Sequence, residues 1–437
     1  MKLFLASSLA VAVSGFATVL TVGDQHATRQ TAHRETGREA AAPPTYAEHI
    51  APLLNKHCVE CHRPGEVAPF SLIGYDNAKK WAPMLEATTA DRIMPPWKAE
   101  PGYGEFEDEN RLTDAQIETI RNWVESGAPR GDQGKEPAEP TFPEGGWSLG
   151  KPDAILSATQ PFKIPAEGKD IYRNFVIKTD FKETKWVEAM EVKPGNARVV
   201  HHVIAFIDER GRSHALDGRE NDGQEGYRTF GGVEFIPDGS FGGWAPGLRA
   251  RRYQKDSAFE LKPGATVVLQ IHYNPSGKPE EDLTQVGLFF SKNPPKHKIE
   301  IAWIANPLIR IPAGKADYTA RWTMPILRER TVLGVMPHMH LLGRKMTARA
   351  VLPNRTFIPL IKINDWDFNW QLTYIYKKPI TLPAGSRIEI EAVYDNSEDN
   401  PHNPHRPPKL VTWGEQTGDE MFLLVVPFVN GRITDTE

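Results

Sequence analysis

Leu261-Lys262-Pro263-Gly264-Ala265-Thr266-Val267-Val268-Leu269-Gln270-Ile271-His272-Tyr273-Asn274 opens as a Pro-Gly turn and continues as a strand-like run. With a period of two, Val267, Leu269, Ile271 and Tyr273 share one face, while Thr266, Gln270 and His272 share the other. The design returns at Leu382-Pro383-Ala384-Gly385, which precedes Ser386–Asn396. With the two glycines superposed, Ile388, Ile390, Ala392 and Tyr394 take the apolar places and Val393 falls where His272 stood. Short alternating runs between Pro/Gly turns continue through both flanks, the texture of a β-sandwich or jelly roll. Two related all-β jelly-roll sandwich domains are therefore expected, over residues 151–295 and 296–437.

Upstream the texture changes. Residues 45–127 read as helical: Tyr46–Lys56 is one run, and Thr113–Ser126 opens with a Thr113/Gln116 capping box and lines up Ile117, Ile120, Trp123 and Val124. Gly127 then ends the run. Residues 128–150, crowded with Pro129, Pro137, Pro140 and Pro143, have the composition of a linker. Residues 24–44 are polar without apolar period and predict a disordered tether. Before them, Met1 and Lys2 lead into an uncharged, mostly apolar run from Leu3 to Gly23, which fits a secretory signal peptide or an uncleaved membrane anchor. A periplasmic or otherwise extracytoplasmic protein follows, with any membrane tether confined to the N-terminus.

The 437 residues carry 52 Lys plus Arg against 56 Asp plus Glu, a net charge of −4. That length calls for several domains, and the near balance with no basic cluster gives no footing for nucleic acid. Two cysteines cannot staple so long a chain, and they stand together as Cys58-Val59-Glu60-Cys61-His62. C-x-x-C-H is the attachment motif of c-type haem, in which Cys58 and Cys61 form thioethers and His62 ligates iron. A redox dithiol or half of a zinc site are the other readings, but no further cysteine completes a zinc site. The second axial place falls to Met94 in Ile93-Met94-Pro95-Pro96-Trp97, with Met84 as the alternative. The expected fold is thus a small all-α cytochrome c-like domain followed by two all-β jelly-roll sandwich domains.

Five histidines beyond that motif sit in strand-like runs: His201-His202, His272, and His338-Met339-His340. Residues two apart share a strand face, so His338 and His340 form a natural chelating pair. His201 and His202 would point to opposite faces, so joint ligation requires a bulge or a strand end. Met421, within Asp419–Val426, reads by itself as strand packing, since Leu423 and Val425 continue its face.

On His201-His202-Val203, Leu269-Gln270-Ile271-His272-Tyr273, His338-Met339-His340 with Leu342-Gly343, and Asp419-Glu420-Met421, in that order, the chain resembles the copper type II ascorbate-dependent monooxygenases. This is the family of peptidylglycine α-hydroxylating monooxygenase and dopamine β-monooxygenase, and the resemblance runs from about Phe175 to the C-terminus. It implies two copper ions: an electron-transfer copper on His201, His202 and His272, and a catalytic copper on His338, His340 and Met421. Imidazoles accept both oxidation states of copper, and a thioether favours Cu(I). The chain departs from the family in lacking its disulfides. It also departs where the peptide-hydroxylating members anchor a substrate carboxylate with Arg, Asn and Tyr, for those places look like Met336, Leu423 and Val425. A carboxylate would find no partner there, so a less polar small molecule is expected, with Trp366, Trp370 and Trp413 as candidate pocket walls.

The function so implied is hydroxylation of a C–H bond with O2, electrons entering through one covalently bound haem c from a redox partner protein or small reductant. The rivals are a non-catalytic haem/copper electron-transfer or copper-binding protein, and a fold that has lost its copper.

Overall fold

The computed structural model describes residues 42–143, 146–230, 232–254 and 256–433. The signal or anchor segment of residues 1–23 lies outside these residues, as does nearly all of the expected tether. No helix among the described residues is long and apolar enough to cross a membrane.

Strands dominate, with 36% of residues against 12% in helices. The strands expected from the paired Pro-Gly turns form at Thr266–Tyr273 and Arg387–Tyr394. Gly264 and Gly385 turn the chain with φ of +68° and +83°, a region open to glycine at little cost. Each strand sits inside a sheet. Thr266–Tyr273 pairs with Ile171–Lys178 on one side and Val200–Asp208 on the other in a five-stranded sheet. Arg387–Tyr394 lies between Tyr318–Pro325 and Gly343–Val351 in a four-stranded one. Val267, Leu269, Ile271 and Tyr273 enter one hydrophobic core, and Ile388, Ile390, Ala392 and Tyr394 enter a second. The alternation of period two thus selects the side chains that are buried together.

The sandwiches are not two domains in series, which corrects the expected fold. One eight-stranded sheet runs in the order Ala154–Leu156, Gln285–Phe290, Lys185–Lys193, Ser257–Leu261, His297–Ala305, Leu423–Asn430, Arg330–His338 and Tyr374–Leu382. The join is a short parallel pairing, His297 with Ser257 and Lys298 with Ala258. Across it Ile299, Leu333 and Val429 from the C-terminal half pack into the core of the first. Hydrogen bonds and apolar packing therefore both cross the expected boundary.

The all-α cytochrome c-like domain is corrected as well. The helical residues make only four short α-helices among the described residues, Ala51–His57, Tyr75–Lys80, Ala82–Ala90 and Asp114–Glu125, beside a π-turn at Tyr46–Ile50 and 3-10 turns. The capping box forms: Thr113 Oγ1 accepts the Gln116 N–H, and Gln116 Oε1 accepts the Thr113 N–H. Ile117, Ile120 and Trp123 pack on Tyr46, Ile50 and Leu54. But residues 97–107 leave this packing and enter the β structure. The Glu100 N–H donates to Lys362 O, the Glu107 N–H to Ile375 O, and the Lys377 N–H to Glu105 O. Ala99 and Phe106 are buried in the second β core with Leu360, Tyr374 and Tyr376. From Pro43 onward the chain is one compact unit, its small helical core joined to the β structure through residues 97–107.

Candidate functional site

His201 and His202 open the strand Val200–Asp208, where the register with Thr266–Tyr273 shifts between Val200 and His202. This irregularity turns both imidazoles to one side, as adjacent strand residues otherwise cannot do. His272 lies directly across from His202. The Nδ1 atoms of His201 and His202 are 3.3 Å apart, as are those of His202 and His272. One ligating nitrogen from each falls within 4.8 Å of the others. Three ring nitrogens aimed at one point cannot all satisfy each other as donors and acceptors. A cation accepts all three lone pairs.

Surrounding groups hold the rings. Tyr172 stacks on His272 at 4.2 Å between centroids. Asp170 Oδ2 stands 3.3 Å from His272 Nε2 and accepts both the N–H and the hydroxyl of Thr417. Burial alone would raise the Asp170 carboxyl, but His272 and Thr417 outweigh it and hold it far below the usual range. Burial, with His272 and His338 adding, pushes His201 down to about 3, and His202 falls well below its ordinary value for the same first reason. Both are therefore neutral at neutral pH, the state in which imidazole ligates metal.

The second cluster forms where the strand Arg330–His338 ends. His340 lies just past the strand rather than within it, yet its ring reaches that of His338 at 5.1 Å between centroids. Met421, two residues before the strand Leu423–Asn430, brings Sδ to 3.2 Å from His338 Nε2. The other nitrogens are occupied: His338 Nδ1 meets Gln371 Oε1, and His340 Nδ1 is 3.2 Å from Asp419 O. With Nδ1–H donating to those oxygens, Nε2 of each ring carries the lone pair. Burial depresses His338 to about 4 and His340 well below its ordinary value. The fully buried Glu420 carboxyl accepts the N–H groups of His340, Leu342 and Met421, so one side chain ties together the backbone of two candidate ligands and of Leu342 beside them. Burial nonetheless pushes that carboxyl up to about 8.

Beside the cluster Met336 pairs with Val425, and His338 with Leu423, all on apolar ground. Trp366 is buried in the second core and donates Nε1–H to His340 O, and Trp413 packs against the same core. Trp370 lies against Gly247, where a Cβ would meet its ring at 2.8 Å.

In the cysteine motif both thiols are free, so no disulfide closes it. Burial pushes Cys58 up to about 12 and raises Cys61. His62 Nδ1 lies 3.2 Å from Phe70 O, which leaves Nε2 as its ligating atom, and its ring packs on Phe70 at 4.7 Å. Cys61 borders a cavity of about 530 Å³, whose opposite wall includes Met190, Trp244 and Arg249 from the β structure. This volume lies in the range of cofactor sites, though of the motif's three residues only Cys61 lines it, and Cys58 and His62 do not. Arg249 reaches across to pair with Glu60 at 2.7 Å. Met94 precedes a cis bond to Pro95 and its N–H donates to Thr88 O, while Met84 is 46% exposed on its helix. Neither borders the cavity beside Cys61.

Asp170, Gln371 and Phe368, the last lying between the clusters, have no sequence signal. Glu420 stands inside Asp419-Glu420-Met421 but is legible there only as a neighbour of the ligand.

No protein-family model matches the chain, and no curated protein matches it. Solved structures with partial likeness include the major capsid protein P2 of bacteriophage PM2, at 9% identity and TM-score 0.25, covering 65% of this chain and 99% of that one. The VP2 subviral particle of infectious bursal disease virus gives 8% identity and TM-score 0.19, over 64% of this chain and 73% of that one. Likeness this low carries no argument about fold or function.

Proposed function

We propose that the chain is an exported copper- and haem-dependent monooxygenase. It would insert one oxygen atom of O2 into a C–H bond of a small, weakly polar substrate and release the other as water. The two electrons required would enter singly through a c-type haem on Cys58, Cys61 and His62, from a redox partner protein or small reductant. Export rests on the apolar run Leu3–Gly23.

The observation that carries this reading is the pair of donor sets. Three Nδ1 atoms of His201, His202 and His272 converge at one point. His338 Nε2 and Met421 Sδ meet at another, with His340 alongside. When bound, copper would supply dioxygen binding and one-electron chemistry at these sites, and haem the relay of electrons to them.

The chain's own residues prepare those sites. Burial keeps His201, His202, His338 and His340 neutral, so no proton has to leave before they bind metal. Gln371 and the carbonyl of Asp419 fix which nitrogen of His338 and of His340 keeps its lone pair for a metal. The thioether of Met421 favours the reduced state of copper over zinc. Met336, Leu423 and Val425 offer a carboxylate no partner, which favours an apolar C–H substrate over a peptide terminus.

The test is metal analysis together with oxygen uptake. Two coppers and one iron per chain, and oxygen consumption matched by a hydroxylated product, are expected. Metal uptake with redox cycling and no product would leave a haem/copper electron-transfer protein, and a chain that takes no copper would sink both.

A further inference from the structure

The two histidine clusters share one aromatic ring. Phe368 stacks on His201 with centroids 4.9 Å apart and planes 22° from parallel, and meets His340 edge-on at 5.6 Å and 76°. Its segment is tied to the second cluster twice more. Trp366 Nε1–H donates to His340 O, and Gln371, whose Nε2–H donates to Phe368 O, meets His338 Nδ1. Asp367 Oδ1 accepts both the backbone and side-chain N–H of Asn369, which closes the turn carrying the ring.

We infer that Phe368 is a positioning residue that couples the two metal sites, so that metal seated at His201, His202 and His272 prepares the site at His338, His340 and Met421. The inference rests on the proposed metal reading and adds to it a communication between the sites. A metal fixes the plane of His201, and a ring stacked on that plane loses its freedom with it. The edge of the same ring is what His340 packs against, so one fewer rotation remains to be frozen when the second metal arrives. Coupling of this kind is reciprocal and commonly amounts to about 5–150-fold in affinity.

The experiment is a double-mutant cycle on the full chain with its haem attached. Cu(I) is titrated anaerobically against a chromophoric chelator, with haem absorbance and far-UV circular dichroism reporting the fold. His272→Ala empties the first cluster without touching Phe368. With Phe368 present, that change should weaken copper at the second cluster about tenfold, within the usual span of site coupling. In Phe368→Leu the same change should leave the second cluster unaffected, and Phe368→Tyr, which keeps the ring, should restore the drop. Phe368→Met replaces Phe368→Leu should the latter fail to fold. An equal drop with and without the ring, or no drop in the parent chain, overturns the coupling. Absence of any copper in the parent chain overturns the metal reading itself, which the stoichiometry reports separately.

Discussion

The carboxylate of Asp170 stands 3.3 Å from Nε2 of His272, while His272 Nδ1 faces His202. A carboxylate behind an imidazole orients the ring and raises the basicity of the opposite nitrogen. Asp170 is itself anchored by Thr417, so the C-terminal half of the chain helps set a ligand of the first cluster. Asp170→Asn keeps the shape and removes the charge, and should weaken copper at the first cluster by about 10–100-fold. A competition titration reads this directly, and unchanged affinity would show that the carboxylate only stabilises the fold.

His340→Ala and Met421→Ala each remove one donor from the second cluster. Hydroxylation should be abolished in both while haem absorbance persists, because Cys58, Cys61 and His62 lie elsewhere in the chain. Product assays beside visible spectra separate the two effects. Turnover at the parent rate in both variants would refute the assignment of the catalytic copper.

Phe106 is 2% exposed and stacks on Tyr376 at 5.3 Å within the second β core, although it belongs to the haem-motif segment. Phe106→Ala should cost about 3–5 kcal/mol, the usual loss for truncating a buried Phe. Because the segment is hydrogen-bonded into the sheet, haem absorbance and far-UV circular dichroism should shift together in one denaturant transition. Two separated transitions in the parent chain would contradict the single unit described here.

Asp208 is fully buried and accepts the N–H and hydroxyl of Ser213 and the N–H of Arg210. Burial by itself would raise this carboxyl, but these bonds outweigh it and hold it below its ordinary value. A depressed carboxyl stabilises the fold above its unfolded value, near 3.9, and that contribution fades as pH falls through the folded value. Asp208→Asn should therefore cost about 1–3 kcal/mol at pH 7. The gap from the parent should narrow as the pH is lowered below about 4, as urea midpoints across pH would show.

Several residues could be read with no structure at all. The Thr113/Gln116 capping box, the apolar face of Thr266–Tyr273 and its echo at Arg387–Tyr394 are local patterns, and each forms where its pattern lies. The need for a bulge at His201 and His202 follows from strand alternation alone, and the register shift supplies it. Trp97–Phe106 carried no such signal. Its docking depends on two isolated β-bridges, Ala99 with Ile363 and Phe106 with Tyr376, and on burial against strands more than 250 residues away. Asp170, Gln371 and Phe368 were silent for the same reason, since each matters through a partner distant in sequence.

The sequence by itself determined which stretches become strands, which residues can donate to metal or haem, and which face of each strand is apolar, because these depend on neighbours one to four residues away. The tertiary structure alone decided that His297–Lys298 would pair with Ser257–Ala258 and merge two expected sandwiches into one sheet. It alone decided that a helical segment would be stitched to that sheet, and that one phenylalanine ring would stand between two histidine clusters. Such contacts form only after long loops have closed, and their free energy is shared among residues that no local period connects.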